Sequence, residues 1–350
     1  MSTIPHILLF LLAGAAIWFL SGLLIDAVDR VAKRYNKPGF AVAFFVLGML
    51  TSISEFSVAV NATLEGVPQV SAGNLMGASL VLFLLLVPLL AVLGNGIPMT
   101  RAIRPSNVAL LLLIVLLPAL LALDGAVLPV EGVALLLLYA ALIFRLRKKH
   151  PAEETAADAL QDTRRELLNS RHAGAADAGK IIVGGILIFV AGNLLVQESV
   201  YFAQMLRIPV SFIGLLLLAI GTNIPELVIA IRCILGRHKD IALGDYLGSA
   251  ATNSLIFCLL AVANGPFLIE SSEVLVTSVL FGAGLGLFYL FSRSKEILSR
   301  KEGAVLLALY ALFLATQILN AARLSREETP LEALRHAAPP VAAADDAATL

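Results

Sequence analysis

Two short segments of the 350-residue chain carry similar oxygen-bearing side chains in the same order. Residues 51–55 read Thr-Ser-Ile-Ser-Glu, and residues 222–226, offset by 171 positions, read Thr-Asn-Ile-Pro-Glu. Carboxylates, hydroxyls and carbonyls are the hard oxygen ligands that calcium and similar cations prefer. The two segments are therefore candidates for a cation site that draws on both halves of the chain.

A second pair of motifs indicates that the two segments belong to an internal repeat. Residues 73–77 (GNLMG) and 244–248 (GDYLG) each begin 18 residues after the glutamate of their segment, so the offset of 171 is kept. We expect the glycines to be close-packing positions between helices. We expect Asn74 and Asp245 to cap helix starts or to hydrogen-bond between helices, in preference to binding an ion.

The composition indicates a membrane protein. Hydrophobic residues make up 59% of the chain and charged residues 14%, whereas soluble domains carry about 25% charged residues. The mean hydropathy is +0.91. The zero net charge argues against a nucleic-acid binder, and two cysteines, Cys233 and Cys258, cannot define a disulfide framework or a thiolate metal cluster.

Ten apolar windows are candidate membrane spans, for which about 20 residues are needed. They cover residues 4–25, 40–64, 71–93, 107–123, 130–144, 180–196, 210–235, 241–262, 274–291 and 304–318. With this count, 21 of the 25 Lys and Arg residues fall in alternate loops on one side, which predicts both termini outside. The predicted organisation is a first half at 1–144, a cytoplasmic linker at 145–179, a second half at 180–320 and a disordered tail at 321–350.

Five spans per half, an odd number, make the second half cross the membrane in the opposite direction to the first. We therefore predict an all-α polytopic membrane protein with ten transmembrane helices, arranged as two inverted five-helix repeats. In such folds, broken helices of the two repeats meet near the bilayer midplane and build the substrate site. Pro225 and Gly221 predict a break in the seventh span. The first repeat has Ser54 in place of the proline, which makes its break less certain.

Glu55 is the 16th residue of a 25-residue window, and Glu226 is the 17th of 26, so both carboxyl groups are predicted near mid-depth. Burying a charge there costs at least about 2.5 to 3.5 kcal/mol on insertion scales. Each glutamate therefore needs a cation or a proton as a partner, unless it has a structural role as a hydrogen-bonded or protonated core residue. The hydroxyls of Thr51, Ser52 and Thr222 could instead bond to carbonyls one turn earlier.

The paired Thr-x-x-x-Glu motifs, each followed by Gly-x-x-x-Gly, resemble the α-repeats of the calcium/cation antiporters, the superfamily of sodium/calcium exchangers. The resemblance implies that the two repeat glutamates coordinate calcium and that nearby polar side chains help hold sodium or calcium. The residues that match those positions are Glu55, Glu226, Thr51, Ser52, Thr222, Asn223, Ser249 and Asn253. The first repeat departs from the pattern, with Ala78 and Leu82 where the second has Ser249 and Asn253.

The resemblance implies a secondary antiporter, not an enzyme, that moves calcium or a related divalent cation against sodium or protons. Its first and sixth spans are expected to slide across the core, and no cofactor is expected beyond the transported ions. Inorganic cations and lipid are the expected partners, and a bacterial inner membrane is the expected location. The alternatives are a proton-coupled monovalent or divalent cation exchanger and a non-transporting sensor or scaffold. An intramembrane metal hydrolase is disfavoured because the His-Glu-x-x-His motif is absent.

Overall fold

The computed structural model describes residues 4–34, 39–64, 66–99, 105–147, 171–205, 219–236, 238–269, 271–294 and 297–337. Within these ranges the helices are α1 (Ile4–Arg34), α2 (Gly39–Val42), α3 (Gly48–Thr51), α4 (Ile53–Leu64), α5 (Pro68–Val81), α6 (Val87–Leu93), α7 (Pro105–Leu121), α8 (Pro129–Arg147), α9 (Arg171–Met205), α10 (Ala219–Thr222), α11 (Ile224–Gly236), α12 (Lys239–Asn264), α13 (Ser271–Ser294) and α14 (Arg300–Ala337). A π-helical turn, Ala43–Leu47, joins α2 to α3, a second, Leu82–Leu86, joins α5 to α6, and a short 3-10 helix covers Ala122–Asp124.

Eight helical segments in the described part of the chain are long and apolar enough to cross a membrane, and they match eight of the ten predicted spans. The sixth predicted span lies in α9, whose apolar part is the shorter stretch Gly179–Ala191. The seventh is represented by α10 and α11, and the start of its predicted window, up to residue 218, lies outside the described residues. The prediction of an all-α polytopic membrane protein is confirmed.

In the described part of the chain, four strands of two residues each connect the ends of the helices by pairing. The strand β1 (Ile97–Pro98) pairs antiparallel with β4 (Ile297–Leu298), and β2 (Ala126–Val127) pairs antiparallel with β3 (Phe267–Leu268). The β1–β4 pair joins the loop after the third span to the loop before the tenth, and the β2–β3 pair joins the loops between spans four and five and spans eight and nine. Loops that pair must lie at the same end of the bundle, as the alternation of ten spans requires.

The two repeats superimpose in sequence down to single helix boundaries. The helices α4 and α5 begin at Ile53 and Pro68, and their counterparts α11 and α12 begin at Ile224 and Lys239, each 171 residues later. Strand positions obey the same offset, because Ile97 corresponds to Leu268 and Ala126 to Ile297. The symmetry therefore exchanges the β1–β4 pair with the β2–β3 pair, as expected for inverted repeats.

The third and eighth spans form the centre of the bundle. About 83% of the apolar window of the third span and 78% of that of α12 are buried, against 22% for α1. On its glycine face, α12 packs directly on the first part of the second span. A Cβ atom added to Gly244 or Gly248 would overlap the backbone carbonyl of Phe40 or Phe44, and one added to Gly48 would lie 2.6 Å from the Gly248 carbonyl carbon. The predicted close-packing role of the second glycine pair is confirmed.

The helices α1 and α9 pack on each other as an antiparallel pair along one side of the bundle. At one end His6 Nδ1 lies 2.7 Å from Glu198 Oε2, and at the other Arg30 Nε donates to Asp177 Oδ1 over 3.2 Å. Much of the outer surface of both helices is apolar and exposed, as lipid contact requires. Polar contacts thus hold α1 and α9 together at both ends of the pair.

Two predicted boundaries differ from the structure. The helix α9 begins at Arg171, within the segment 145–179 predicted as a linker, and α14 continues to Ala337, within the segment 321–350 predicted as disordered. Residues 148–170 and 338–350 lie outside the described residues. The extension 321–337 is rich in Ala, Leu, Glu and Arg, which favour the helix even where no apolar face is present. The extension 171–179 contains four alanines but no Leu or Glu.

Candidate functional site

Both broken spans are interrupted at the same repeat position. In the second span α3 ends at Thr51 and α4 begins at Ile53, leaving Ser52 between them. In the seventh, Asn223 stands between α10 and α11. In each case the backbone oxygen of the intervening residue accepts a 3.0 Å hydrogen bond from the residue four positions on, Phe56 or Leu227. The break in the first repeat forms without a proline.

The breaks place the predicted site residues in the protein interior. All eight are buried, with at most 6% of their surface exposed: Thr51, Ser52, Glu55, Thr222, Asn223, Glu226, Ser249 and Asn253. The first six lie at the two breaks and the last two on α12, which crosses beside both. The eight residues predicted from the sequence therefore all lie in the protein interior.

Hydroxyl groups connect the first break to α12 of the other repeat. Thr51 Oγ1 lies 2.8 Å from Ser249 Oγ, and Ser52 Oγ donates to the backbone oxygen of Ser249 over 3.4 Å. The same two hydroxyls also lie within hydrogen-bond distance of carbonyls one turn earlier, Thr51 of Leu47 and Ser52 of Gly48. The back-bonding geometry considered for these residues is thus present together with the contacts across the repeat interface.

The two glutamates are neighbours, and each lies near the threonine of the opposite repeat. The carboxyl groups of Glu55 and Glu226 lie close enough to interact electrostatically. Thr222 interacts with the Glu55 carboxyl, and Thr51 interacts with that of Glu226. This reciprocal arrangement is what an inverted repeat produces at its interface.

The two carboxyl groups differ in their hydrogen bonds. Glu55 Oε2 accepts a 2.7 Å hydrogen bond from the Ser54 hydroxyl. Glu226 follows Pro225, which has no hydroxyl, and neither of its carboxyl oxygens has a partner within hydrogen-bond distance among the described residues. The side-chain amide of Asn253 is likewise without a partner there. Buried polar atoms in this condition are costly unless a ligand satisfies them.

Asp245 lies in this region, although the sequence analysis favoured helix capping or interhelical hydrogen bonding for it. The first residue before α12 is His238, so Asp245 is a full two turns inside the helix, and the capping interpretation is wrong. It is completely buried, and Thr51 Oγ1 donates to its Oδ1 over 3.2 Å, an interhelical hydrogen bond. The missed signal is spacing, since Asp245, Ser249 and Asn253 recur every four residues and so share one helix face.

The corresponding face in the first repeat is mostly apolar. Ala78 and Leu82, at the positions of Ser249 and Asn253, are completely buried, and Leu82 begins a π-helical turn. Asn74, the counterpart of Asp245, is buried inside α5, six positions after its first residue, so it is not a cap either. The polar groups around the glutamates are therefore concentrated on the side of α12.

The pair of α1 and α9 covers the site. A cavity of about 10 Å³ lies between this pair and the two breaks. Leu24 of α1 and Gly185 of α9 line it on one side, and Thr51, Ser54 and Thr222 line it on the other. Such a volume is at the lower limit for a single water molecule, so the site is enclosed.

A two-repeat bundle with paired broken helices and buried carboxyl groups at its centre defines a polytopic membrane transporter. The model of the family described as sodium/calcium exchanger protein matches residues 5–147 and 178–319. The chain therefore belongs to the sodium/calcium exchanger family, whose members are cation antiporters, and the resemblance noted in the sequence is confirmed.

Individual relatives agree with this family. The chain is 34% identical over 141 residues to the sodium/calcium exchanger MaX1 of Methanosarcina acetivorans, an alignment that covers 40% of each protein. It is 26% identical over 254 residues to the inner membrane protein YrbG of Escherichia coli, which covers 72% of this chain and 76% of that protein. A solved structure of the sodium-calcium exchanger NCX_Mj shares the fold, with a TM-score of 0.73 and 22% identity over 90% of this chain and 99% of the other. No enzyme family is indicated.

Proposed function

We propose that the protein is a secondary antiporter that exchanges calcium, or a related divalent cation, for sodium or protons at a site shared by Glu55 and Glu226. The supporting observation is that one buried carboxyl group from each repeat lies at the interface, with both oxygens of Glu226 lacking a hydrogen-bond partner among the described residues. A carboxylate buried in a membrane protein requires a counter-charge. A transported cation supplies it.

Charge compensation explains how two kinds of ion are coupled. Two carboxylates carry about two negative charges, which one calcium ion or two monovalent cations neutralise. Calcium and the monovalent cations compete for the same carboxyl oxygens, so they occupy the site in turn. Moving the uncompensated carboxylates past a dry barrier is costly, which prevents the empty site from changing sides.

The remaining ligands are proposed from the polar side chains around the pair. Ser52 and Ser249 contribute hydroxyls beside the first break, and Asn253 contributes an amide with no other partner among the described residues. Thr51, Thr222 and Asn223 complete the set at the two breaks. Hydroxyl and amide oxygens suit both calcium and sodium, so this set fits either load.

Alternating access is proposed to occur by sliding of α1 and α9 as a unit. The two helices are joined at both ends, and together they cover the enclosed cavity. Their outer surfaces face lipid, which offers little resistance to sliding along the bundle. Displacement of Leu24 and Gly185 relative to the breaks would open the cavity toward one side of the membrane.

A proton-coupled exchanger is the second candidate, and the apolar side chains of Ala78 and Leu82 favour it. These positions supply no oxygen in the first repeat, so the site offers fewer ligands for sodium ions than a fully polar ring would. Protons need no coordination shell and can neutralise the same carboxyl groups.

Calcium uptake into proteoliposomes under imposed sodium or pH gradients tests the proposed function. We expect the wild-type protein to take up calcium against one of the two gradients and Glu55→Gln to lower the rate of uptake strongly. The matched control is Glu131→Gln, which changes a half-buried glutamate at the start of α8, outside the candidate site. If neither the sodium gradient nor the pH gradient changes the wild-type calcium flux, antiport is excluded. Cation-dependent thermal stabilisation without any flux would indicate the non-transporting sensor instead.

We also propose that the protein lies in a bacterial inner membrane with both termini on the periplasmic side. The distribution of Lys and Arg supports this orientation, because 21 of 25 fall in the loops assigned to the cytoplasm. A reporter that fluoresces only in the cytoplasm, fused to the C terminus, should remain dark. Fluorescence of a folded, active fusion would reverse the orientation.

A further inference from the structure

Asp245 is a third buried carboxyl group beside the two glutamates, and it has no acidic counterpart. Its position in the first repeat is held by Asn74. Asp245 is completely buried, and its charge interacts with those of Glu55 and Glu226. The repeats therefore supply an odd number of acidic groups to a site whose other acids come as a symmetric pair.

One carboxyl oxygen of Asp245 accepts a hydrogen bond, and the other does not. Oδ1 accepts the 3.2 Å hydrogen bond from Thr51. Oδ2 is buried and has no hydrogen-bond partner among the described residues. The Tyr246 hydroxyl, on the next residue, donates to the backbone oxygen of Glu226 over 3.2 Å. Residues 245–246 are thus fixed against both breaks, and the unpartnered oxygen is held in place.

The three carboxyl groups do not converge on one ion. Across the described ranges, no group of three His, Cys, Asp or Glu side chains lies close enough to hold a single metal. An ion shared by Glu55 and Glu226 therefore leaves the charge of Asp245 uncompensated. A buried carboxyl group next to two others is either protonated or, when it is ionised, requires its own counter-charge.

We propose that Asp245 is a specificity-determining residue of the site and binds a monovalent metal cation, separate from the ion between the two glutamates. This inference rests on the proposed function. It implies that the three carboxylates are neutralised either by one divalent and one monovalent cation or by three monovalent cations. It also implies that the second repeat determines how many monovalent ions participate.

Asp245→Asn isolates the charge from the contact, because the amide oxygen still accepts the hydrogen bond from Thr51. The full-length protein in nanodiscs is titrated with NaCl at constant pH and constant ionic strength, with choline chloride as the balancing salt, and thermal unfolding is recorded. We expect the half-maximal sodium concentration to rise about tenfold or more, since a charge in direct contact with the ion is lost in a medium of low dielectric constant. The half-maximal CaCl₂ concentration should change less than about threefold, because both glutamates remain.

Asp240→Asn is the matched control, since it makes the same chemical change in the first turn of α12, and it should leave both titrations unchanged. If Asp245→Asn does not fold, Asp245→Ser is titrated in the same way, with the same expectation. The inference is overturned if Asp245→Asn leaves the half-maximal sodium concentration unchanged, or if it raises the half-maximal sodium and calcium concentrations equally. It is also overturned if NaCl does not stabilise the wild-type protein against thermal unfolding. Failure of the proposed function is a separate result, namely no wild-type flux in proteoliposomes.

Discussion

The two repeats share the positions of their breaks and of the helix starts that follow, but they differ in the polar groups that they bring to the centre of the bundle. Both broken spans are interrupted at the same position, Ser52 and Asn223. On the next span the second repeat presents Asp245, Ser249 and Asn253, whereas the first presents Asn74, Ala78 and Leu82. The backbone symmetry fits the proposed alternating access, and the side-chain asymmetry concentrates the proposed ligands on one helix.

The asymmetry extends to the residue before each glutamate. Ser54 donates a hydrogen bond to Glu55, whereas Pro225 provides no donor for Glu226. The second repeat therefore has the less satisfied carboxyl group together with more of the surrounding ligands. We infer that binding depends more strongly on Glu226 than on Glu55.

The largest expected effect follows from that difference between the glutamates. Glu226→Gln should lower the rate of calcium exchange by about a hundredfold or more, a loss of about 2.8 kcal/mol in interaction free energy. The loss should exceed that for Glu55→Gln, whose hydrogen bond from Ser54 remains available to the amide. Initial rates of calcium uptake in proteoliposomes measure both variants. Equal activity of Glu226→Gln and wild type would show that the carboxyl group has only a structural role.

A second expected effect concerns the close packing of α12 on the second span. Gly248→Ala should destabilise the protein by about 1–3 kcal/mol or more, because the new methyl group overlaps the Phe44 carbonyl. Thermal unfolding in detergent measures the change. Gly286→Ala is the control, since an added Cβ there meets no described atom within 4 Å. Equal melting temperatures for the two variants would contradict the close approach of these helices.

Restoring a hydroxyl to the first repeat sharpens the comparison. Ala78→Ser places a hydroxyl at the counterpart of Ser249 and should lower the half-saturating sodium concentration by about threefold, or about 0.7 kcal/mol. The substitution adds one oxygen, so stability should change little. Sodium-dependent calcium flux measures the effect, and Ala119→Ser, at a buried position of α7 away from the site, is the control. No change in sodium dependence would show that this face does not reach the ions.

The smallest expected effect concerns the end of the α1–α9 pair, just before the apolar part of α9 begins. Burial raises the pKa of Asp177, but hydrogen bonds and charges from Arg30 and Lys180 outweigh it and hold the pKa below its ordinary value of 3.8. The ion pair therefore stabilises the fold above pH 3.8, and this contribution is lost as the pH falls through the lower pKa of the folded state. Asp177→Asn should cost at most about 1 kcal/mol at neutral pH.

Thermal unfolding of wild type and Asp177→Asn at pH 7 and near pH 3 checks this expectation. The difference between the two proteins should shrink at the lower pH, where the wild-type carboxyl group begins to protonate. A difference that grows on acidification would have the wrong sign for a lowered pKa.

The positions of the candidate site residues could be predicted from the sequence because the two repeats keep the same spacing between their motifs. The offset of 171 residues located both glutamates, both breaks and the glycine face of α12 before any contact was known. The first glycine pair is different, because a Cβ atom added to Gly73 would meet no described atom within 4 Å. The break at Ser52 was predicted with less certainty than that at Asn223, because no proline marks it. In the structure the helix is interrupted at Ser52 all the same, so a break at this repeat position forms without a proline in the first repeat.

Other features depend on tertiary contacts that spacing does not encode. A cap or an interhelical hydrogen bond was expected for Asp245 because it lies near the start of an apolar window. The hydrogen bond from Thr51 is present, but the cap is not, because α12 begins six residues earlier, at Lys239. The π-helical turns Ala43–Leu47 and Leu82–Leu86 have no marking residue in the sequence. The helical segment beyond the predicted tail boundary follows from local helix propensity, which an apolar-window analysis does not weigh.

The central claim is that one cation is shared by Glu55 and Glu226, and equilibrium binding of radioactive calcium tests it most directly. Binding is measured for wild type, Glu55→Gln, Glu226→Gln and the double variant at one pH and salt concentration. If the glutamates share the ion, each single variant loses most of the affinity, and the double variant loses clearly less than the two losses combined. Losses that simply add, or a single variant that retains wild-type affinity, would contradict a shared site.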